Sequence, residues 1–412
     1  MIGGKQKLKD VCIRITKGTT PTTYGYAFVD KGINYFKAES ITEEGRILPN
    51  TFAFIDEATH DYLKRSVLAT DDILISIAGA KLGKCGFLTE QFLPANTNQA
   101  VGIVRVNPDC AAPKYVFYNF LNKQTYQLIN SLNSQSAQPN FNLGQLGDLE
   151  FNYPPLPIQC RIASVLSAYD DLMENNLKRI KLLEDAARCE YKMLMEEGRK
   201  QLVFRELVKW VKGKKPKDIS QMHLEGYLPY LVFDTIEGNA VTYANIERVP
   251  LASTNDVLMC MDGARSGVVF RGMEGVLGST FAALQIENSA LTEFVYQFLQ
   301  TNLEYVVQGN VGAAIPHANK EYINSMKIVI PDEVRLEEYN GKVRPLVILT
   351  ANLKSQNAQL RQARDILLPR LMSGEINVVG DITKSTMIEM PICETMAAEH
   401  AATYSKTTNL RR

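Results

Sequence analysis

The chain lacks the marks of most small-molecule enzymes. Its 412 residues hold only four histidines, at 60, 223, 317 and 400, with no HxxxH spacing and no neighbouring cysteine cluster. A zinc site built on His and Cys needs such spacing, so no metal is expected. Seven cysteines, at 12, 85, 110, 160, 189, 260 and 393, form no CxxC and no close pair. An odd, irregularly spaced set argues against a disulfide framework and fits a reducing, cytoplasmic compartment. No apolar signal core opens the chain and no apolar run reaches the ~20 residues of a membrane span. An excess of one charge is also missing, since Lys+Arg and Asp+Glu are both 45. That argues against coating nucleic acid through a global field but leaves room for local basic patches.

Motifs of catalysis fail on inspection. Gly79-Ala80-Lys81-Leu82-Gly83-Lys84 has three residues between its glycines and Cys85 after the lysine. A phosphate loop needs four, then Ser or Thr. Asn152-Tyr153-Pro154-Pro155 scrambles the Asn-Pro-Pro-Tyr of adenine methyltransferases, and no Gly-rich strand–helix turn precedes it. A proline-stiffened lead into a helix explains it better. No Ser/His/Asp or paired-carboxylate arrangement stands out. The reading is a non-catalytic chain.

What the chain does have is a long helical seam. Between Ile158 and Gly198 no proline or glycine intervenes. Ile162, Leu166, Tyr169, Met173, Asn176, Ile180, Leu183, Ala187, Glu190 and Leu194 recur at alternating steps of four and three. That narrow stripe is a coiled-coil seam, and it needs a partner. Val343, Leu346, Thr350, Leu353, Asn357, Leu360, Arg364, Leu367 and Leu371 supply one. Asn340-Gly341 and Pro345 are expected to break or kink that second helix near its start. Ser373-Gly374 ends it.

The chain also repeats itself. Leu8–Pro21 and Phe204–Pro216 both run apolar alternation into Lys-Gly and then Pro. Asp72–Gly83 (DILISIAGAKLG) matches Asp256–Gly267 (DVLMCMDGARSG), and Ala137–Pro154 matches Ala314–Pro331, both without a gap. Asn176-Leu177-Lys178 matches Asn352-Leu353-Lys354. A tandem duplication of a globular unit plus a long helix follows. Short apolar runs at Ile73–Ala78, Val101–Val106, Val257–Met261 and Met326–Ile330 read as strands, and 113–132 and 289–305 as helices. The fold class is α+β: two tandem globular α+β domains separated by an antiparallel coiled coil of two long helices, with a pseudo-twofold internal repeat. The expected boundaries are 1–155, 156–200 (first long helix), 201–331, 332–379 (second long helix) and a 380–412 extension without periodicity.

The loops hold groups that read nucleic acid. Lys17, Thr19, Thr20 and Thr22 stand where the other copy has Lys212, Lys214, Lys215 and Lys217. Gly-flanked Lys81 with Lys84 stands against Arg265, Ser266 and, nearby, Arg271. Asn96, Thr97, Asn98 and Gln99 correspond roughly to Ser279 and Thr280. Gln135, Gln138, Asn140 and Asn142 correspond to His317, Asn319 and Lys320. Arg and Lys suit guanine edges, Asn and Gln suit adenine, and any of them holds phosphate. Solvated loop polarity would explain each residue singly; the repeated placement favours the Lys81 and Arg265 loops.

The pattern resembles the specificity subunits of type I DNA restriction–modification systems. The resemblance rests on the duplicated layout, on Lys17-Gly18-Thr19-Thr20-Pro21 and on Asp72-Ile73-Leu74 running to Gly79. It rests further on Pro154-Pro155-Leu156 leading to Gln159, Arg161 and Ile162, and on Arg364-Asp365-Ile366-Leu367-Leu368-Pro369-Arg370-Leu371-Met372-Ser373-Gly374-Glu375. It implies two target recognition domains, each reading half of a bipartite double-stranded DNA site, with the coiled coil as spacer. It also implies docking of methyltransferase and restriction/translocase subunits, which carry S-adenosylmethionine, ATP and Mg, while the specificity subunit carries no cofactor. A self-sufficient methyltransferase and a coiled-coil connector binding proteins stand as alternatives.

Overall fold

A computed structural model describes residues 4–79, 81–131, 141–195, 200–238, 241–312 and 315–378. Gln135, Gln138, Asn140 and the 380–412 extension lie outside these residues. The described residues fall into two compact units, one from the chain up to Asp170 plus the stretch from Gln362, the other Asp171–Arg361. The division cuts both long helices, so each unit owns a short helix pair as well as a globular part.

The first unit opens with β1 (Lys5–Lys7), β2 (Cys12–Lys17), β3 (Ile33–Phe36), β4 (Ala53–Ile55) and helix α1 (Glu57–Tyr62). It continues with β5 (Ile73–Ser76), β6 (Cys85–Phe87), β7 (Ala95–Thr97) and β8 (Val101–Val106). Helices α2 (Pro113–Leu121), α3 (Lys123–Ser131) and α4 (Leu143–Gly147) precede β9 (Glu150–Asn152) and the long helix α5 (Leu156–Met195). Its strands form an antiparallel sheet β2-β8-β5-β6, a mixed sheet β4-β3-β7 and the pair β1-β9.

The second unit has β10 (Lys200–Val203), β11 (Lys209–Lys212), β12 (Ile219–Ser220), β13 (Tyr227–Leu231), α6 (Phe233–Ile236), β14 (Tyr243–Asn245) and β15 (Leu251–Ala252). Then come β16 (Val257–Cys260), β17 (Val269–Arg271), β18 (Gly275–Leu277) and β19 (Phe281–Gln285). Helices α7 (Thr292–Thr301), α8 (Leu303–Gln308) and α9 (Lys320–Ser325) lead to β20 (Lys327–Ile330) and α10 (Glu333–Ser373). The sheets are β11-β19-β16-β17, β12-β14-β13-β18-β15 and β10-β20. Strand for strand, the four-stranded sheets and the two-stranded pairs repeat. So does the parallel pairing, β3 with β7 and β13 with β18. The α+β class and the internal repeat hold; the second unit adds β12 and β15.

The sequence matches have physical causes. A Cβ on Gly18 would lie 2.1 Å from the Thr97 carbonyl oxygen, and one on Gly213 1.9 Å from that of Gly278, so only glycine lets the backbones cross. Gly83 and Gly267 take φ of 79° and 93°, closing equivalent hairpins. Asn142 and Asn319 cap α4 and α9 by accepting the backbone N–H of Gln145 and Tyr322. Asp72 and Asp256 each accept a backbone N–H three residues back, at 2.7 Å in both units.

Two expected helices are each divided. Asn122 separates α2 from α3, and Asn302 separates α7 from α8. At Asn122 the backbone turns extended, and its side chain accepts from Gln124 N–H, a local bond that competes with helix.

The long helices behave as the seam predicts, with one correction. Helix α10 runs without interruption through Asn340, Gly341 and Pro345. Packing overrides the weak local signal: Leu336, Tyr339 and Val343 lie in the second unit's core, and Asn340 Nδ2 donates to the Ala290 carbonyl at 2.8 Å. The helix starts at Glu333 because the Asp332 carboxylate accepts the Arg335 N–H at 3.0 Å. Helix α5 starts two residues before Ile158, with Pro157 in the first turn, where a missing N–H costs nothing. Every α5 seam residue is buried or half-buried.

In the second unit Glu184 pairs with Lys354, Glu190 with Lys342 and Asn176 with Asn357, so the partner number falls as α5 advances. The pairing is antiparallel. Asn176 Nδ2 donates to Asn357 Oδ1 at 2.9 Å, and Asn357 donates to the Met173 carbonyl at 3.2 Å, so both buried amides are satisfied. Such a pair is lost if the helices slip, which is how a polar seam residue selects register. In the first unit Ile162 and Leu166 of α5 join Leu368, Leu371 and Met372 of α10 in the core beneath Tyr115 and Phe120.

Candidate nucleic-acid interface

In each unit the antiparallel register brings four chain turns to one end of the four-stranded sheet. Lys17 at the end of β2 faces Gly102, Val101 faces Ser76 at the end of β5, and Cys85 at the start of β6 faces Ile75. In the second unit Lys212 faces Ala282, Phe281 faces Cys260, and Val269 faces Met259. Backbone bonds knit the turns together in the same way. Ile77 N–H donates to the Ala100 carbonyl and Met261 N–H to that of Thr280, both at 2.8 Å. Phe141 N–H donates to Ile77 and Ala318 N–H to Met261, again both at 2.8 Å. Residues far apart in sequence thus share one edge per unit.

On the first unit's edge Lys17 is exposed and Thr19 is held by its own N–H on the Thr97 carbonyl at 2.8 Å. Thr20 bonds the exposed Gln99, and Asn98 turns its carboxamide oxygen to the Ala100 N–H at 3.2 Å. Lys81, at the hairpin tip, is paired with Glu43 from the segment after β3. The hydrogen bond and charge of Glu43 hold the Lys81 pKa above its ordinary value. On the second unit's edge Lys212, Lys214, Lys215 and Lys217 are exposed and make no ion pair among the described residues. Arg265 lies 4.3 Å over the Phe233 ring and 5.6 Å from Phe270, and its guanidinium meets Glu237 at 2.6 Å. His317 Nδ1 sits 2.8 Å from Asp262, and Lys320 rests 5.8 Å over the Trp210 ring at the start of α9. Thr280 is half-buried beside them.

Several expected contacts are spent inside the units. Lys84 is half-buried and donates to the Ala38 and Ile41 carbonyls at 2.7 Å, with burial holding its pKa below the ordinary lysine value. Ser266 is buried and accepts from Asn310 at 2.8 Å. Arg271 makes two 2.8 Å bonds to Glu293 and lies 4.3 Å over Tyr296. Burial works to lower the Arg271 pKa, but Glu293 outweighs it and the net shift is upward. Asn96 and Thr97 are buried strand residues, and Asn142 and Asn319 are caps. A polar residue type in a loop cannot report whether its partner is solvent, ligand or the chain's own carbonyls.

Sequence reading missed neighbours on the same edges. Tyr24, Tyr26 and Tyr62 cluster beside the Thr19–Thr20 turn, with ring centroids 5.5 and 5.0 Å from Tyr62, and Tyr24 and Tyr62 are over half exposed. Glu43 and Glu237 were also missed, because acidic residues carry no nucleic-acid signal by themselves. The Tyr-Gly-Tyr at 24–26 was the available hint.

The motif residues of the long helices have structural work. Gln159 accepts from Ala112 N–H at 3.0 Å and donates to the Pro154 carbonyl at 2.8 Å, tying the helix start to the core. Arg364 is 5% exposed and meets Asp170 at 2.7 Å and Asp365 at 2.8 Å, while the Tyr118 hydroxyl donates to Asp170 at 2.6 Å.

Residues 4–185 match the family described as type I restriction modification DNA specificity domain. Two curated relatives come from Methanocaldococcus jannaschii. The type I restriction enzyme MjaVIII specificity subunit is 25% identical over 189 residues, 45% of this chain and 44% of the relative, so this chain spans under half of that protein. The type I restriction enzyme MjaIX specificity subunit is 25% identical over 320 residues, 69% of this chain and 74% of the relative. Among solved structures, a type I restriction–modification S subunit from M. genitalium is similar with a TM-score of 0.55 and 16% identity, covering 90% of this chain and 96% of that one. That likeness supports the two-unit α+β fold.

Proposed function

We propose that this chain is a member of the type I restriction–modification DNA specificity family and the subunit that reads double-stranded DNA for such a system. Each unit reads one half of a bipartite site with the edge of its four-stranded sheet. The observation that carries this reading is the duplicated edge itself. Two sets of polar and basic groups, scattered through the sequence, converge on equivalent turns of an equivalent sheet. Lys17, Lys212, Lys214, Lys215 and Lys320 are suited to phosphates. Arg265, Lys81, Thr20, Gln99, Asn98, Thr19, Thr280 and His317 are suited to positioning or base edges.

The paired helices supply the spacer and the docking surface for methyltransferase subunits, with restriction/translocase subunits joining the assembly. Asn176–Asn357 and Arg364–Asp170 keep the helix pairing in one register, as a spacer requires. In this reading the chain is non-catalytic. S-adenosylmethionine, ATP and Mg work on the partners, and the chain's own task is geometric: it restricts binding to half-sites of matching separation and phase. Joining two weak readers raises their effective concentration on a bipartite site.

The test is to assemble the full chain with its methyltransferase partner, map the modified adenines in host DNA, and compare duplexes with and without the mapped site. A two-part site preferred over random DNA is expected. Equal binding of random and methylatable duplexes would overturn the proposal.

A further inference from the structure

The hairpin tips carry a feature that basic-patch logic does not anticipate. In both units the tip cation is covered by a carboxylate. Lys81 pairs with Glu43, and Arg265 pairs with Glu237. The two acids come from equivalent places, the segment that follows β3 in one unit and β13 in the other, which are the strands pairing in parallel with β7 and β18. No sequence match marks them. Both pairs are substantially exposed, with side-chain exposures of 64% and 45% for Lys81 and Glu43, and 44% and 36% for Arg265 and Glu237. Exposed ion pairs stabilise a fold little, so stability does not explain finding the same device twice.

A bare cation on a DNA-facing loop binds any phosphate. A cation with a carboxylate beside it does not, because the acid neutralises it and repels the phosphate oxygens. The pair remains complementary to one kind of surface, where acceptors lie beside an amino group. Both base pairs set an amino group beside acceptors in the major groove, but G·C alone gives a cation two adjacent acceptors on one base, guanine O6 and N7, next to the cytosine N4 amino group from which a carboxylate accepts. Arg265 is prepared for such an edge, because stacking on Phe233 and Phe270 holds the guanidinium plane before DNA arrives.

We propose that Glu43 and Glu237 are specificity-determining residues, each making its unit's hairpin tip reject bare phosphate and accept a base edge that presents an amino donor beside guanine. The proposal rests on the DNA-reading assignment above and deepens it. The two acids lower the affinity for random DNA and raise the ratio of specific to random binding.

The experiment uses the full chain assembled with its methyltransferase partner and a random-sequence duplex of about 30 base pairs over ~50–200 mM salt. The unaltered chain, Glu237→Gln, Arg265→Gln and the Glu237→Gln/Arg265→Gln double variant are compared, with the Glu43 and Lys81 set in parallel. Freeing one cation should steepen the salt slope by about 0.9, so the advantage of Glu237→Gln over the unaltered chain grows about threefold from ~200 to ~50 mM. In the Arg265→Gln background the same change frees no cation, so it should leave the salt slope unchanged and raise affinity only by the carboxylate's own repulsion. On the mapped site in the methyltransferase assembly, Glu237→Gln should lose discrimination. A Glu237→Gln slope equal to or shallower than that of the unaltered chain, in an unaltered chain that binds DNA, overturns the proposal and leaves the DNA-reading assignment standing. An unaltered assembly that binds no duplex at ~50 mM salt overturns that assignment and this proposal with it.

Discussion

The two units build the same edge from the same backbone scheme and arm it differently. In the first, Lys17 leads into threonines that bond Gln99 and the Thr97 carbonyl, a neutral surface of donors and acceptors. In the second, the corresponding turn carries Lys212, Lys214, Lys215 and Lys217 with no ion pair among the described residues. The glycines that let backbones cross, Gly18 and Gly213, are common to both. Sheet edges of this kind tolerate exchange of exposed side chains because backbone bonds and glycines hold the turns. Readers of two different half-sites can therefore share one scaffold.

The units also solve the same burial problem with different residues. Each places one arginine against the α5 helix. In the first it is Arg364 of α10, meeting Asp170. In the second it is Arg271 of β17, meeting Glu293 and, at 3.8 Å, Glu184. The burial is distributed oppositely: Arg364 is 5% exposed against 20% for Arg271, whereas Glu293 is 15% exposed against 30% for Asp170.

The sharpest way to break this comparison is to remove each arginine. Arg271→Ala strands a nearly buried carboxylate and should cost about 3 kcal/mol. Arg364→Ala should cost less, about 2 kcal/mol, because Asp170 keeps solvent and the Tyr118 hydroxyl. Denaturant midpoints of the full chain decide it, and equal losses would show that the two sites are energetically alike.

A second pair tests the common scaffold. Gly18→Ala and Gly213→Ala each push a methyl into a carbonyl oxygen and should cost about 2 kcal/mol apiece. If either variant unfolded at the midpoint of the unaltered chain, the crossing would not demand glycine there.

The smallest effect concerns the seam. Asn357→Leu leaves the buried Asn176 amide without its acceptor, at a cost of about 1–2 kcal/mol. Adding Asn176→Leu should recover most of it while loosening register. A double variant less stable than the single would contradict the pairing.

Much of the architecture was legible in residues 158–198 and 343–371, because a coiled-coil seam writes its period directly into sequence. The duplication was legible for a related reason: matched glycines, caps and turn aspartates are demanded by local backbone geometry, which a sequence carries unaltered. Pro345 misled because local helix-breaking tendencies are small beside the burial of Leu336, Tyr339 and Val343 around it. Among the candidate contacts, Lys17, Lys81 and Arg265 were placed on the edges, whereas Lys84 and Arg271 were not. Nothing local separates Lys81 from Lys84; a few ångströms of loop decide which ammonium meets solvent and which meets two carbonyls.

By itself the sequence determined the α+β class, the internal repeat and the long antiparallel seam, since each depends on spacing along the chain. Only the tertiary structure decided which polar groups share an edge and which are consumed within the fold. It also brought Glu43 and Glu237 to the hairpin cations. Those partnerships join segments 28 and 38 residues apart through strand pairing, and a linear pattern carries no record of them.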